Sequence, residues 1–189
     1  MSDKQYIVLS VVGSIFGIGT GILTTYNMIG TLLNGGVPVT QLLIEAVLWT
    51  FWVGLQGIGF CVIFLKIKQS IFAGTAVVGF FATALEFIVL FTLYTTGHSI
   101  NDLAFALIGI GATVLYLIMA GYSMTLLRPA DSLGKIAGNS LIVTGIVLLA
   151  IPPAGFVLLV LSNLLASGFF ATLDLETKPI DQPKGLALE

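Results

Sequence analysis

Charged residues are scarce in this sequence. Seven Lys and Arg residues and nine Asp and Glu residues make up only 8% of the 189 residues, whereas soluble domains contain about 25%. A soluble globule needs charged side chains over much of its surface, so this composition excludes one. The formal net charge of −2 also leaves no basic stripe that could follow a phosphate backbone, which excludes nucleic acid as a partner.

Cysteine and histidine each occur once. Cys61 cannot form an internal disulfide or a thiolate metal cluster, and its apolar neighbours in the sequence indicate an inert thiol. His98 cannot supply both axial ligands of a haem, and with Asp102 and Glu45 it makes a poor zinc ligand set. No G-x-S-x-G, H-E-x-x-H or Walker sequence occurs. We therefore expect no metal, no cofactor and no enzymatic activity.

Apolar residues are abundant instead, at 57% of the chain, and they fall into long runs. A bilayer core about 30 Å thick requires about 20 helical residues. Four runs reach that length between polar, Gly or Pro residues: Tyr6–Leu33, Gln41–Leu65, Ile71–Thr96, and Asn101-Asp102 to Arg128-Pro129. Asp102 is suited to the start of the fourth helix. The sequence therefore predicts an all-α, polytopic transmembrane bundle that has the lipid bilayer as a partner.

The last apolar run, Ile136 to Leu173, contains two consecutive prolines, Pro152 and Pro153, at its middle. They break the helix, so the run is either one kinked helix, giving five spans, or a hairpin, giving six. In the hairpin all seven basic residues fall on one side: Lys4, Lys66, Lys68, Arg128, Lys135, Lys178 and Lys184. The positive-inside rule therefore favours six spans in the plasma membrane with both termini cytoplasmic.

The residues that follow the last apolar run are polar. The segment DLETKPIDQPKGLALE contains two prolines and begins at Asp174. A segment with so few apolar residues cannot bury enough surface to form a core of its own. We therefore expect one transmembrane domain over residues 1–173 and a cytoplasmic tail over residues 174–189.

Glycines in the first span follow helical spacing. Gly13, Gly17 and Gly21 lie four residues apart, so they share one helix face and allow another helix to approach closely. Gly134 and Gly138 form a smaller version in the fifth span. The face predicts either contact within the bundle or association with a second copy or another subunit.

Two acidic residues lie within the apolar runs. Glu45 is about 12 Å from the middle of the second span at 1.5 Å per residue, close enough to the outer interface to reach water. Trp49 and Trp52 share its helix face, and we interpret them as an interfacial aromatic belt. The sequence alone assigns Glu45 no special role.

Glu86 differs because it lies near the middle of the third span, where an ionised carboxylate is costly. Thr75, Gly79 and Thr83 continue its helix face with small and hydroxylic side chains. Such a position requires that the acid be protonated, paired or hydrated.

Gln56, Tyr116 and Asn163 fall near the middle of the second, fourth and sixth spans, so a polar layer is predicted if they face inward. One interpretation is a proton- or cation-binding site, in which Glu86 exchanges a proton and the amides or phenol position a substrate or water. The other is structural, with hydrogen bonds that hold the helices together.

His98 lies next to Gly97 in a predicted outer loop, four residues before Asp102. It is either an ordinary surface histidine or, with Asp102, a pH-sensitive or metal-contacting spot. For the whole chain we expect a non-catalytic membrane protein that associates with other subunits or with itself. The alternative is a small proton- or cation-coupled transporter or channel that uses Glu86.

Overall fold

The structure, a computed structural model, describes residues 3–34, 39–96, 101–127 and 132–173. This part of the chain forms six helices and no strand: α1 (Asp3–Asn34), α2 (Val39–Ile67), α3 (Ser70–Thr96), α4 (Asn101–Leu127), α5 (Ser132–Ala150) and α6 (Pro152–Ala171). The predicted all-helical fold is confirmed. The expected tail over residues 174–189 and the expected loop containing His98 lie outside the described residues.

The helices are long and apolar enough to cross a bilayer. Five contain stretches of 18 residues or more: Ile7–Gly30, Leu43–Ile67, Ile110–Leu127, Ser132–Ala150 and Pro152–Ala171. In α3 the apolar stretch among the described side chains is Ser70–Leu85. Because about 20 helical residues span the hydrocarbon core, the chain is an integral membrane protein built as a helical bundle.

The prolines separate α5 from α6, as the hairpin interpretation predicts. Ile151 joins the two helices with φ −141° and ψ 80°, outside the helical region. Pro152 and Pro153 then occupy the first turn of α6, where missing N–H groups cost nothing because no helical acceptor precedes them. A Cβ on Gly155 would overlap the Leu148 backbone, so the two helices lie closely side by side. The alternative of one kinked helix over this run is wrong.

Each helix packs against its neighbours in the sequence, and α6 also packs against α1, so the six helices form a closed ring. Residues nearer the end of one helix meet residues nearer the start of its neighbour. Thr24 in α1 bonds Glu45 in α2, and Thr75 in α3 bonds Ser123 in α4. Neighbours are therefore antiparallel, and an even number of helices lets α6 run antiparallel to α1 as the ring closes.

The two ends of the ring differ. We call the end with the start of α1 and the α2–α3 connection the basal end, and the end with Ile151 the distal end. At the basal end Lys68 takes a left-handed conformation, with φ 62°, and its N–H caps α2 on the Phe64 carbonyl at 2.8 Å. Lys66, Lys68 and Lys135 are exposed there.

The interior is filled by large side chains. Near the basal end Phe60 lies 5.8 Å from Phe170, and Phe169 lies 5.4 Å from Phe170, measured between ring centroids. All three rings are buried, and we call them the basal aromatic cluster. The outer surface carries exposed apolar side chains on every helix, including Ile15, Phe51, Val77, Leu115, Ile146 and Leu161. Those side chains match the hydrocarbon of a bilayer.

Candidate functional site

A buried network of hydrogen bonds lies near the middle of the bundle, and Gln56 is its centre. The Tyr116 hydroxyl donates to Gln56 Oε1 at 2.7 Å. Gln56 Nε2 donates to Ser14 Oγ at 2.8 Å and to Asn163 Oδ1 at 3.1 Å. All four side chains are fully buried. The structure therefore brings together the three midspan polar residues from the sequence, Gln56, Tyr116 and Asn163, and adds Ser14. We call this group the central network.

The central network crosses the ring. It joins α2 to α4 and to α6, although neither helix is adjacent to α2 in the ring. Both amide hydrogens of Gln56 are donated within it. Asn163 Nδ2 donates to the Leu159 carbonyl at 3.0 Å, and Ser14 donates to the Ser10 carbonyl at 2.9 Å. These four neutral side chains therefore link α1, α2, α4 and α6.

The comparisons with known proteins give no match. No family model, curated protein or solved structure matches the chain.

Gly17 makes the close approach of three helices possible beside the central network. A Cβ at Gly17 would lie 2.6 Å from the Asn163 side-chain oxygen and 2.7 Å from Cδ1 of Trp52. Because glycine lacks that atom, the amide of α6 and the indole of α2 both reach the surface of α1.

The two neighbouring glycines serve different helices. A Cβ at Gly13 would meet the Trp52 carbonyl at 2.9 Å, and one at Gly21 would meet the Phe156 carbonyl at 3.0 Å. The face formed by Gly13, Gly17 and Gly21 thus contacts α2 at its basal end and α6 at its distal end. The structure places this face inside the bundle, where it is not available to a separate subunit.

The two tryptophans do not form an interfacial belt, and that expectation is wrong. Trp49 and Trp52 are buried, with 4% and 0% of their surfaces exposed. Their rings lie 5.4 Å apart in an edge-to-face arrangement, and Trp52 lies 6.3 Å from Tyr116 in the same manner. Trp52 is buried because it packs against Gly13 and Gly17 of α1 and against Tyr116 of α4.

Glu45 has protein partners at the distal end, although the sequence assigns it none. Thr24 Oγ1 donates to Glu45 Oε1 at 2.5 Å, and Asn27 Nδ2 donates to Oε2 at 2.7 Å. The carboxyl group is partly buried between α1 and α2. Two donors from one helix fix the carboxylate of the next and align the pair.

A third polar contact joins α3 to α4 toward the basal end. The hydroxyl groups of Thr75 and Ser123 lie 2.8 Å apart, and Thr75 also donates to the Ile71 carbonyl at 2.9 Å. Both side chains are fully buried. Thr75, one of the residues predicted to share a helix face with Glu86, thus bonds α4.

The remaining candidates lie outside the described side chains. Glu86 belongs to α3 and Asp102 to α4, but neither side chain is among those described, and His98 lies outside the described residues. The expected Glu86 site and the expected His98–Asp102 spot therefore stay predictions.

Ser14, Thr24 and Asn27 are the interhelical hydrogen-bonding side chains that the sequence interpretation missed. Their signal was present, because the spacing of three and four residues that joins Gly17 to Gly21 continues to Thr24 and Asn27. A polar residue on a glycine face is placed against a neighbouring helix, where in lipid it needs a partner.

Proposed function

We propose that the protein is a non-catalytic integral membrane subunit that packs with other membrane helices, or with a second copy, as part of a larger assembly. The observation that carries this proposal is the central network, in which neutral side chains are bonded to one another rather than aimed at a ligand. Buried hydrogen bonds that cross the ring make the bundle rigid. A rigid body with an apolar surface is suited to supporting neighbouring helices.

The composition of the interior supports the same proposal. Large side chains such as Trp52, Phe60 and Leu141 are fully buried, so the ring is packed like the core of a structural protein. The outer surface carries apolar side chains on all six helices, and a partner helix can pack against any of them through van der Waals contact.

Site-directed photo-crosslinking in native membranes tests the proposal. A photoreactive amino acid is placed at one exposed position per helix: Ile15, Phe51, Val77, Leu115, Ile146 and Leu161. We expect one or two adjacent helices to give a discrete protein adduct and the other helices to give none, because a partner covers one face and lipid the rest. Leu141, which is fully buried, is the matched control position. Absence of a protein adduct at all six positions contradicts the proposal.

A small proton- or cation-coupled transporter or channel is the second candidate. The observation that favours it is the Glu45 carboxyl group, which sits partly buried within an apolar helix and is held by Thr24 and Asn27. Acids within transmembrane helices mark a proton or cation path in many membrane proteins, and Glu45 would lie at the distal mouth of such a path. Here Glu86, lying in α3, would be the second acid along that path.

The transport proposal predicts that Glu86→Gln abolishes flux. Glutamine keeps the shape and hydrogen bonding of the side chain but cannot exchange a proton. Proton and cation flux is measured in vesicles reconstituted with each protein, and Gln41→Glu, which adds an acid near the distal start of α2, is the control. Flux that is equal in Glu86→Gln and the unaltered protein, or absent from both, contradicts transport through Glu86.

We also propose that the protein lies in the plasma membrane and that its basal end faces the cytoplasm. Exposed Lys66, Lys68 and Lys135 at that end support this orientation. In a Cys61→Ala background, Lys68→Cys should resist a membrane-impermeant thiol reagent added to intact cells, whereas Ile151→Cys should react. Reaction of Lys68→Cys and protection of Ile151→Cys would reverse the orientation.

A further inference from the structure

The outer side of α5 carries a polar side chain within the membrane-spanning part of the helix. Asn139 is exposed on the surface of the bundle, seven residues after α5 begins at Ser132. At 1.5 Å per residue it lies about 10 Å inside the basal end of that helix. Hydrocarbon offers no hydrogen-bond partner, so an amide at this depth is costly unless another helix supplies one.

Asn139 differs in this respect from the other asparagines of the apolar stretches that the structure describes, which are Asn27 and Asn163. Asn27 donates to Glu45 at 2.7 Å, and Asn163 accepts from Gln56 at 3.1 Å, so each is bonded to a neighbouring helix. Asn139 makes no hydrogen bond to any other residue in the described part of the chain. Its amide is therefore available to a partner outside the bundle.

Asn139 belongs to a stripe of exposed residues that runs along most of α5. The spacings alternate between three and four residues, and the members are Ile136, Asn139, Val143, Ile146 and Ala150. We call this stripe the α5 seam. Two helices that pack side by side in a left-handed pair meet along residues with these spacings. The opposite side of α5 faces the bundle, where Gly138, Leu141 and Leu148 are buried.

A second copy of the chain has the chemistry that the Asn139 amide requires. An amide group both donates and accepts hydrogen bonds, so two Asn139 side chains related by a two-fold axis each donate to the oxygen of the other. Copies inserted in the same orientation bring their α5 helices together in parallel, with Asn139 at the same depth in both. A two-fold contact uses the same patch on both chains, and the α5 seam is complementary to itself in this way.

We propose that two copies of the protein associate through the α5 seam, with reciprocal hydrogen bonds between their Asn139 side chains. A single asparagine in an otherwise apolar seam fixes the register of the two helices and the number that associate. The apolar members of the seam complete the contact by van der Waals packing. This proposal rests on the assembly function proposed above and names its surface and its partner.

Disulfide crosslinking in native membranes tests the contact. In a Cys61→Ala background, Val143→Cys places the single thiol one turn from Asn139 on the α5 seam, and Leu161→Cys places it on the outer side of α6. The native side chains are exposed to a similar extent, 51% for Val143 and 54% for Leu161. Oxidation with iodine, which enters the bilayer, should link most of Val143→Cys into a species of twice the chain mass and leave Leu161→Cys as single chains. Equal linkage of the two variants, or linkage of neither, overturns the proposal.

Two substitutions test the amide itself. Asn139→Leu keeps the seam apolar but removes the reciprocal bonds, so it should weaken association in lipid vesicles about tenfold. Asn139→Gln keeps a donor and an acceptor and should associate more strongly than Asn139→Leu. Energy transfer between donor-labelled and acceptor-labelled copies, measured over a range of protein-to-lipid ratios, reports the dissociation constants. Association that Asn139→Leu leaves unaltered contradicts the role of the amide.

The photo-crosslinking described above separates failure of this proposal from failure of the assembly function. An adduct at Ile146 with the mass of two chains supports association through the α5 seam. An adduct of any other mass at Ile146, or adducts only from other helices, overturns the pairing of two copies through α5 and leaves the assembly function standing. Absence of an adduct at every position contradicts both.

Discussion

Replacing Gly121 with alanine should lower the free energy of unfolding by about 2 to 3 kcal/mol. A Cβ at Gly121 would overlap the backbone carbonyl oxygen of Gly138, and a Cβ at Gly138 would overlap the carbonyl oxygen of Gly121. Backbone atoms cannot rotate away as a side chain can, so α4 and α5 must separate and lose contact along their length. Reversible unfolding in mixed micelles measures the change.

Gly54→Ala is the matched control for this prediction. No atom lies within 4 Å of a Cβ placed at Gly54, and alanine favours helix over glycine by up to about 1 kcal/mol. This variant should therefore be as stable as the unaltered protein or slightly more stable. If Gly121→Ala and Gly54→Ala behave alike, α4 and α5 do not meet at their glycines.

The double variant Gly121→Ala with Gly138→Ala tests whether the two glycines form one contact. Once the first methyl group has separated the helices, the second meets less resistance. The double variant should therefore lose less stability than the sum of the two single variants. Simple addition of the two losses would mean that the glycines act at separate contacts.

Replacing Gln56 with leucine should destabilise the fold by about 2 to 4 kcal/mol. The side chain makes three interhelical hydrogen bonds, and its loss leaves the buried hydroxyl of Tyr116 and the amide oxygen of Asn163 without their partner. In lipid no water replaces that partner, so the cost exceeds the value of the bonds themselves. The same unfolding measurement reports the loss.

Gln41→Leu makes the same chemical change near the distal end of α2, at a partly exposed side chain outside the central network. It should change stability by less than about 0.5 kcal/mol, as surface substitutions usually do. Gln56→Glu retains an acceptor for Tyr116 but removes the donors to Ser14 and Asn163. It should therefore also destabilise the fold. Equal stability of Gln56→Leu and Gln41→Leu would mean that the central network does not hold the ring together.

The central network limits what the basal half of the bundle can do. Water or an ion that moved through the ring would have to break the Tyr116–Gln56 and Gln56–Asn163 bonds and then pass Phe60 and Phe170. A static structural role requires no such opening. Gln56→Leu therefore also separates the two proposed functions, because a leak that appears in this variant would identify the network as a barrier.

The depth of each polar residue could be predicted from the sequence, because helical rise is constant and the spans are bounded by polar residues. Gln56, Tyr116 and Asn163 were placed near the middle of three helices in this way. Their hydrogen bonds could not be predicted. Most of each helix surface is apolar, so the sequence pattern does not show which neighbouring helix each polar side chain meets.

Trp49 and Trp52 show the consequence of that ambiguity. Aromatic residues near a span end are typical of the membrane interface, and their spacing from Glu45 agreed with such a belt. The glycine face of α1 admits the Trp52 indole edge at Gly17 instead. Only the approach of α1, α2 and α6 at one place puts these rings inside the bundle.

The sequence by itself determined the solvent, the helical class and the break between α5 and α6. Scarce charge requires lipid, lipid requires backbone hydrogen bonds within each span, and Pro152 and Pro153 cannot continue the helix that precedes them. The tertiary structure alone decided the ring closure by α1 and α6, the partners of Gln56, and the donors that hold Glu45. These depend on which helices become neighbours, and the pattern along one helix places a polar residue on a face without showing which helix that face meets.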